Sequence, residues 1–447
     1  MNNNKMKNLL WLCLFMLPLL LAAQDTLSLD DAIQKALESN YDIRVARYNI
    51  ESVTNNAQPG MAGLLPEVSA TAGANYSNSS GSADFPGVDS LTGEQIVITQ
   101  SANGIQTNSQ NIGVSANYTV FSGLANKTNY QLLQKNVELT EAQVMGQIEG
   151  NLVQVINAYY QLARLQANYQ ILLESEQASR ERINFVRNQF EFGQSNSLAI
   201  LNAQVDLNTD SVNLAVAEMN METARRELNL LMGTNLEASF SVEEKVDWKA
   251  DWKLEELARL ARESNSTLRT AAYNRQVSEL NLKIAQASRL PRLDVNASYA
   301  YSNSNNGPFS FVSRTQGLGL NAGATLSVPI FTGFRNKVNI QNAEVSVASS
   351  NLSYQQAEQI LLKDLYNTYA NYQNSIAIYR LQRKNLAAAE ANFSRTQESF
   401  ELGQATSIQF RDAQLNLQRV QNQINDLQFD IKLNEMELIR LSGQLVE

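Results

Sequence analysis

The chain has no histidine and one cysteine, Cys13. That scarcity removes the usual zinc sites and the Ser–His and Cys–His nucleophile pairs, and a lone cysteine closes no disulfide within the chain. Proline is nearly as scarce: none falls between residues 87 and 290 or after Pro329. Two very long tracts are thus free of the residue that most strongly breaks a helix. Beyond the first residues no apolar run approaches the roughly 18 residues that a membrane-crossing helix needs. Positive charge is in the minority, 35 basic against 44 acidic residues for a net charge of −9. Such a balance argues against nucleic acid, whose binding rests on neutralising phosphates. Acidic pairs such as Asp30-Asp31 and Glu243-Glu244 read as solvated charges near helix starts and loops. No catalytic site, metal site or cofactor is expected.

The first 23 residues read as a secretory signal. Lys5 and Lys7 precede an apolar stretch, Leu9 to Leu21, that ends at Leu21-Ala22-Ala23. Its 13 residues are too few to span a bilayer. Cleavage there would remove Cys13 and leave 33 basic against 44 acidic residues, a net of −11. If an exported chain of this kind enters a membrane, strands must carry it.

An internal repeat dominates the remainder. Glu38-Ser39-Asn40 recurs as Glu263-Ser264-Asn265, and Leu65-Pro66 as Leu290-Pro291, both 225 residues later. Phe121-Ser122-Gly123 recurs as Phe331-Thr332-Gly333 at a spacing of 210, as do Asn126-Lys127 (Asn336-Lys337) and Met232-Gly233 (Ser442-Gly443). Two copies of about 200 residues are too few and too long for a solenoid, so residues 24–252 and 253–447 read as duplicated halves.

Each half has the same order. A helical segment comes first, about 28–58 and 253–289, with Pro59-Gly60 opposing continuation of the first. Strand pairs come next, at 67–76 with 112–120 and at 292–301 with 318–330. Val68, Ala70, Ala72, Ala74 and Tyr76 alternate with small polar residues, and the other three strands show the same period of two. Segments 77–111 and 302–317, rich in Ser, Asn and Gly, read as solvated loops. Each pair then leads into a long helical tract. Met145, Ile148, Leu152, Val155, Tyr159, Leu162, Gln166, Tyr169 and Leu173 step by threes and fours, a heptad seam for helices that coil on partners. A helix from about Ala125 to Phe192 would be roughly 100 Å long, so an elongated molecule is expected.

A strand of about ten residues, apolar on one side and small-polar on the other, suits a membrane β-barrel with lipid outside and water within. The same alternation also fits a soluble sandwich. Four strands cannot close a barrel of useful width, and sheet edges cannot face lipid. On the membrane reading three chains would supply 12 strands. The lumenal phase of its strand places Phe121 near the periplasmic rim, and the tyrosines Tyr76, Tyr118, Tyr299 and Tyr301 suit an interfacial girdle.

These features together resemble the outer-membrane efflux protein family, the TolC-like channels. The resemblance covers essentially the whole chain after the signal. It is carried by the duplication, by Pro66 and Pro291 before the first strand of each half, and by Val328-Pro329-Ile330-Phe331-Thr332-Gly333 closing the last strand. The recurring Phe-Glu-Phe-Gly-Gln (190–194) and Phe-Glu-Leu-Gly-Gln (400–404) are its fourth mark. It implies an α+β membrane protein: four transmembrane strands per chain, a 12-stranded barrel in a homotrimer, and long coiled helices forming a periplasmic α-barrel. Pro66, Gly123, Pro291, Pro329 and Gly333 would lie at strand–helix junctions. Such a channel is the exit duct of a tripartite efflux system, set in outer-membrane lipid. It docks on a periplasmic adaptor and an inner-membrane transporter, and has no catalytic chemistry of its own.

By the same resemblance Gly193 and Gly403 lie at periplasmic hairpin tips, where glycine ends a helix without a Cβ penalty. Ser197, and Thr406 or Ser407, would cap the returning helices. The tips are either where the adaptor meets the channel or plain hairpin turns. Relatives narrow the entrance with two acidic residues whose places here hold Gln409 and Asp412. Asp412 is then a ring of three carboxylates that favours cations, or a solvated aspartate on a helix face. An arginine that latches the entrance in the best-known relative is Ala405 here, which leaves Arg411 as a candidate. Secretion of polypeptides through a type I system is the alternative within the class. An exported coiled-coil filament is the alternative outside it.

Overall fold

The computed structural model describes residues 26–307 and 312–446; the expected signal, with Cys13, lies outside them. Two compact units emerge, each drawing on both halves of the sequence. One combines the described residues up to Asn49 with Ala142–Arg269 and the chain from Gln356 onward; the other combines Ile50–Glu141 with Thr270–Gln355.

The first unit is helical. Strand β1 (Thr26–Leu27) leads into α1 (Leu29–Ser39). Ser28 caps that helix by accepting from the Asp31 amide at 3.1 Å, and Asp30 and Asp31 complement the positive end of its dipole. The segments 28–58 and 253–289, each expected as one helix, are each two helices. Asn40 separates α1 from α2 (Tyr41–Asn56), and Asn265 separates α5 (Leu254–Ser264) from α6 (Ser266–Ala287). The two asparagines act alike. Asn40 Oδ1 accepts from the Asp42 and Ile43 amides at 2.9 and 3.1 Å, while its Nδ2 donates to Leu231 O at 2.7 Å. Asn265 Oδ1 accepts from the Leu268 amide at 3.1 Å, and its Nδ2 donates to Leu441 O at 3.1 Å. Each side chain starts a new helix and fastens it to the end of a distant one. At those distant ends Gly233 and Gly443 have φ of +68° and +77°, and a Cβ would lie 2.5 Å from Ser39 O or 2.6 Å from Ser264 C. The repeated Ser-Asn and Gly phrases are thus two copies of one docking joint.

The long helices are α3 (Ala125–Glu191), α4 (Ser197–Met232), α7 (Arg335–Glu401) and α8 (Ser407–Leu441). Leu152, Val155, Ile156, Tyr159, Tyr160 and Leu162 of α3 form a core with Leu228, Met232 and Phe429. The heptad seam is kept as far as Leu162, after which the buried face drifts. Leu172 is buried where Leu173 is 36% exposed, so the buried stripe has stepped back by one residue. Beyond it come the buried polar residues Ser175, Glu176, Ser179 and Arg182, before apolar burial resumes at Ile183 and Val186.

A short strand β4 (Ser241–Val242) pairs in parallel with β1, an element with no signal in hydropathy. Tyr159 joins them by donating its hydroxyl to Leu27 O at 2.9 Å and accepting from the Glu243 amide at 3.1 Å. Burial pushes that phenol up to about 12. The linker after β4 is held at buried Glu435, which accepts from the Lys249 amide at 2.7 Å and from Trp252 Nε1 at 3.2 Å. Glu149, also buried, accepts from Ser266 Oγ at 2.6 Å, and desolvation raises its pKa above the usual carboxylate range.

The second unit carries one antiparallel sheet of β2 (Glu67–Val88), β3 (Gln95–Phe121), β5 (Arg292–Asn305) and β6 (Arg314–Ser327), in that spatial order. The alternation read from the sequence is in register across it. Ala72 faces Ile112, Ile112 faces Tyr301, and Tyr301 faces Leu318. One side is therefore an apolar band, with Val68, Ile112, Val114, Tyr299, Leu318 and Leu320 all more than half exposed. The other side pairs Ser115 with Ser298, Asn117 with Asn296, and Asn296 with Gly323.

Three details differ from expectation. Segment 77–111 is mostly strand, because the β2–β3 ladder continues to Val88↔Gln95; its polar residues satisfy a ladder as well as they suit a loop. Strand β6 spans 314–327 rather than 318–330, ending before Pro329, which has no N–H for a ladder. A register shift between Thr119 and Phe121 places Phe121 opposite Leu293, on the apolar side. One extra residue reverses the side-chain phase, so Phe121 does not face the polar side. No helix among the described residues is long and apolar enough to cross a membrane.

Candidate functional site

The two hairpin turns, α3 to α4 and α7 to α8, have the same geometry. Gly193 and Gly403 both have φ of +72°, the left-handed conformation that L-residues resist. Gly193 N–H donates to Phe190 O at 2.9 Å and Gln194 N–H to Gln189 O at 2.7 Å. The equivalent pairs in the second turn, Gly403 to Phe400 and Gln404 to Ser399, are 3.0 and 2.8 Å. No heavy atom beyond the neighbouring residues lies within 4 Å of a Cβ built at either glycine. The glycines answer a backbone requirement rather than a crowded one.

The caps are Asn196 and Thr406. Asn196 Oδ1 accepts from the Ala199 amide at 3.0 Å; Ser197 is the first helical residue and not the cap. Asparagine ranks with serine as an N-cap, so the composition of the turn could have revealed it. Thr406 Oγ1 accepts from the Gln409 amide at 3.3 Å, and Gln409 Oε1 accepts from the Thr406 amide at 2.8 Å. That reciprocal pair is a capping box. It engages Gln409 in the turn, while Ser407 opens α8. Asp412 lies one turn further on, exposed, in a cleft shared with Arg395, Ser399, Gln404 and Asn416.

Behind the turns, Val186, Phe400 and Phe410 are buried together. The Phe400 ring lies 4.9 Å from Phe185 and 5.1 Å from Phe410. Outside, Phe192, Leu198, Leu402 and Ile408 are each more than 60% exposed.

One helical turn deeper the hairpins are tied by ions. Arg411 of α8 grips Asp210 of α4 with both terminal nitrogens, at 2.6 and 2.8 Å. Asp210 also accepts from Ser179 Oγ at 2.5 Å. Asp206, one turn from Asp210, pairs with Arg182 of α3 and lies 3.9 Å from Arg411 Nε. Arg182 in turn donates to Ser407 O at 3.2 Å. Gln414 Nε2 closes the cluster, donating to Ser175 O at 2.7 Å and Ser179 Oγ at 3.0 Å. Arg411, a candidate from the sequence, is central. Arg182, Asp206 and Asp210 were missed, and the only signal was that the two aspartates share a helix face.

The junction residues fall where strands meet helices. Pro66 and Pro291 immediately precede β2 and β5, and Pro329 comes just after β6. Gly123 and Gly333 have positive φ just before α3 and α7. The repeated Asn-Lys also has a purpose there. Asn126 Nδ2 donates to Gly63 O at 2.7 Å, and Asn336 Nδ2 to Ser288 O at 2.8 Å.

A duplicated chain with a membrane-type sheet and paired helical hairpins defines the class of outer-membrane channel subunits. The family model described as "Outer membrane efflux protein" matches residues 32–234 and 257–444, and the chain belongs to that family. It is 21% identical over 316 residues to outer membrane protein TolC of Vibrio cholerae, covering 70% of this chain and 72% of that one. To the cation efflux system protein CusC of Escherichia coli O157:H7 it is 22% identical over 422 residues, covering 92% and 85%. Its fold is similar to the crystal structure of CusC, with a TM-score of 0.73 at 20% identity over 93% of this chain and 92% of that one. VceC of Vibrio cholerae gives 0.72 at 17% identity, over 93% and 96%.

Proposed function

We propose that the chain is the exit duct of a tripartite efflux system, acting as a homotrimer in the outer membrane. The observation that carries this reading is the sheet: four strands with an exposed apolar band, and with β2 and β6 as open edges. Lipid tolerates no unpaired edge. Pairing β6 of one copy with β2 of the next, three times round, closes 12 strands and leaves no edge. The 14 residues of β6 extend about 46 Å, and tilted near 40° they cross the roughly 25 Å apolar band of an outer-membrane barrel. The small polar side then faces a wet lumen.

On this reading residues 1–23 direct export, and residues 24–252 and 253–447 are the two copies of one half. The strand hairpins turn outside the cell and the helical hairpins point into the periplasm. A periplasmic adaptor, itself joined to an inner-membrane transporter, meets the tips at Gly193, Ser197, Gly403, Thr406 and Ser407. The exposed Phe192, Leu198, Leu402 and Ile408 offer it an apolar surface. Asp412 gives three carboxylates at the entrance, beside the capped Gln409. Relatives named for cation and toluene efflux support small solutes over polypeptides as cargo.

The test is the assembly state of the detergent-purified full chain together with its conductance in planar bilayers. A trimer that forms discrete water-filled pores is expected. A monomer, or a trimer without conductance, would refute the proposal.

A further inference from the structure

The β2–β3 hairpin is much longer than its counterpart. Pairing of β3 with β5 stops at Asn108↔Asn305, yet β2 and β3 continue together from Gly81↔Ala102 to Val88↔Gln95. Beyond the four-stranded sheet lies a two-stranded ribbon about 27 Å long. A register shift at Ser79/Gly81 separates it from the sheet, and Gly104 has φ of +69° beside that shift. Such a bulge bends the strand and re-aims the residues beyond it.

The two edges of the ribbon are unlike. The β2 edge carries Asp84 and Pro86, with Asp89 in the turn just past it, and such charges and proline keep an edge from pairing. Along the β3 edge runs Gln95-Ile96-Val97-Ile98-Thr99-Gln100-Ser101-Ala102, without charge or proline. Val97 and Ile98 there are 69% and 52% exposed. Pro86 stands opposite Val97. A proline inside a ladder turns its missing N–H outward, and in an antiparallel pair the residue opposite then turns its own N–H outward too. Val97 thus presents a free donor on an uncharged, β-branched edge.

Charge selects the occupant. No lysine or arginine occurs from Tyr48 to Asn126, and the ribbon carries Asp84, Asp89 and Glu94. A second copy of the ribbon would bring like charge against like. A phosphate-bearing surface would be repelled in the same way.

We propose that the β3 edge, Gln95–Ala102, is a strand-addition site for an extended, basic segment of another protein outside the cell. Main-chain hydrogen bonds supply the affinity and alternate side chains the selectivity. The assignment of the ribbon to the outer face rests on the duct reading.

The probe is a synthetic peptide of about ten residues alternating lysine and valine, matched to the edge in length. It is titrated onto the full chain in nanodiscs, beside an analogue with glutamate for lysine and one N-methylated on alternate residues. The lysine peptide should bind, and both analogues should bind at least about tenfold more weakly. Val97→Pro should cost about fivefold or more, the worth of one net hydrogen bond. The backbone-neutral Asp84→Asn/Asp89→Asn/Glu94→Gln chain should weaken the lysine peptide and abolish its salt dependence. Equal binding by the N-methylated peptide, or by both variants, would overturn the proposal. So would disulfide-linked copies of Ile98→Cys that the peptide does not displace, which would mark a copy-to-copy contact. Conductance of the same preparation keeps the two readings apart. A pore with no peptide binding sinks the edge alone, and a missing pore sinks the duct.

Discussion

Removing the Asp210 carboxylate tests whether the tip ions fasten the two hairpins. Its side chain is 3% exposed and that of Arg411 12%. In Asp210→Ala the guanidinium loses both short bonds and keeps Asp206 at 3.9 Å, with Gln414 Oε1 at 3.2 Å. Stripping one partner from a buried ion pair costs about 3–5 kcal/mol because the other charge stays buried. The remaining Asp206 places the expectation at the low end, about 3 kcal/mol. Membrane barrels resist global unfolding, so the loss is best read locally. Hydrogen exchange at amides of α3, α4 and α8 around residues 175–190, 200–214 and 407–418 should accelerate by about 150-fold. Exchange in β2, β3, β5 and β6 should not change. Replacing both partners, Asp210→Leu with Arg411→Leu, should recover most of the protection, since apolar substitutes of similar volume carry no desolvation cost. A single variant that shifts tip exchange less than about threefold, or a double variant as damaged as the single, would refute the reasoning.

Gly403→Val should strain the left-handed turn by about 1–2 kcal/mol while its side chain meets open space. Trimers should form and adaptor-dependent export should fail, and normal export would return the tip to a plain turn. Asp412→Asn should lower cation selectivity, read as a shifted reversal potential in planar bilayers, whereas an unaltered potential would mark a solvated side chain. Glu149 has its pKa raised by desolvation, against the pull of Ser266, Arg440 and Arg269. The folded chain therefore binds its proton more tightly than the unfolded chain, and stability falls as pH rises from about 4.5 through the raised value. Glu149→Gln keeps an acceptor for Ser266 and should flatten that part of a pH series of denaturation midpoints, while an unchanged or steeper fall would count against it.

Much of the fold was legible because its signals are local or repeated. Alternation in 67–76 and 318–327 reports a strand between two solvents whatever the neighbours are. The absence of proline over two long tracts licenses the long helices. The duplication made Gly193 and Gly403 conspicuous, since a helix breaker that recurs with its surroundings marks a required position. The same repetition singled out Asn40 with Asn265 and Asn126 with Asn336, although their purpose was not readable. It is to donate to backbone carbonyls that are 191, 176, 63 and 48 residues away.

What the sequence determined by itself was therefore whatever each segment decides from its own period, caps and breakers: the internal repeat, amphipathic strands, and hairpins that turn at glycine. Tertiary structure decided the rest, because pairing energy depends on what lies opposite. A polar stretch such as 77–111 is a loop alone and a strand beside a matching partner. Arg182, Asp206, Asp210 and Arg411 look like solvated helix charges one at a time. Only the packing of α3, α4 and α8 takes Arg182, Asp210 and Arg411 out of water, and there opposite charges must find one another.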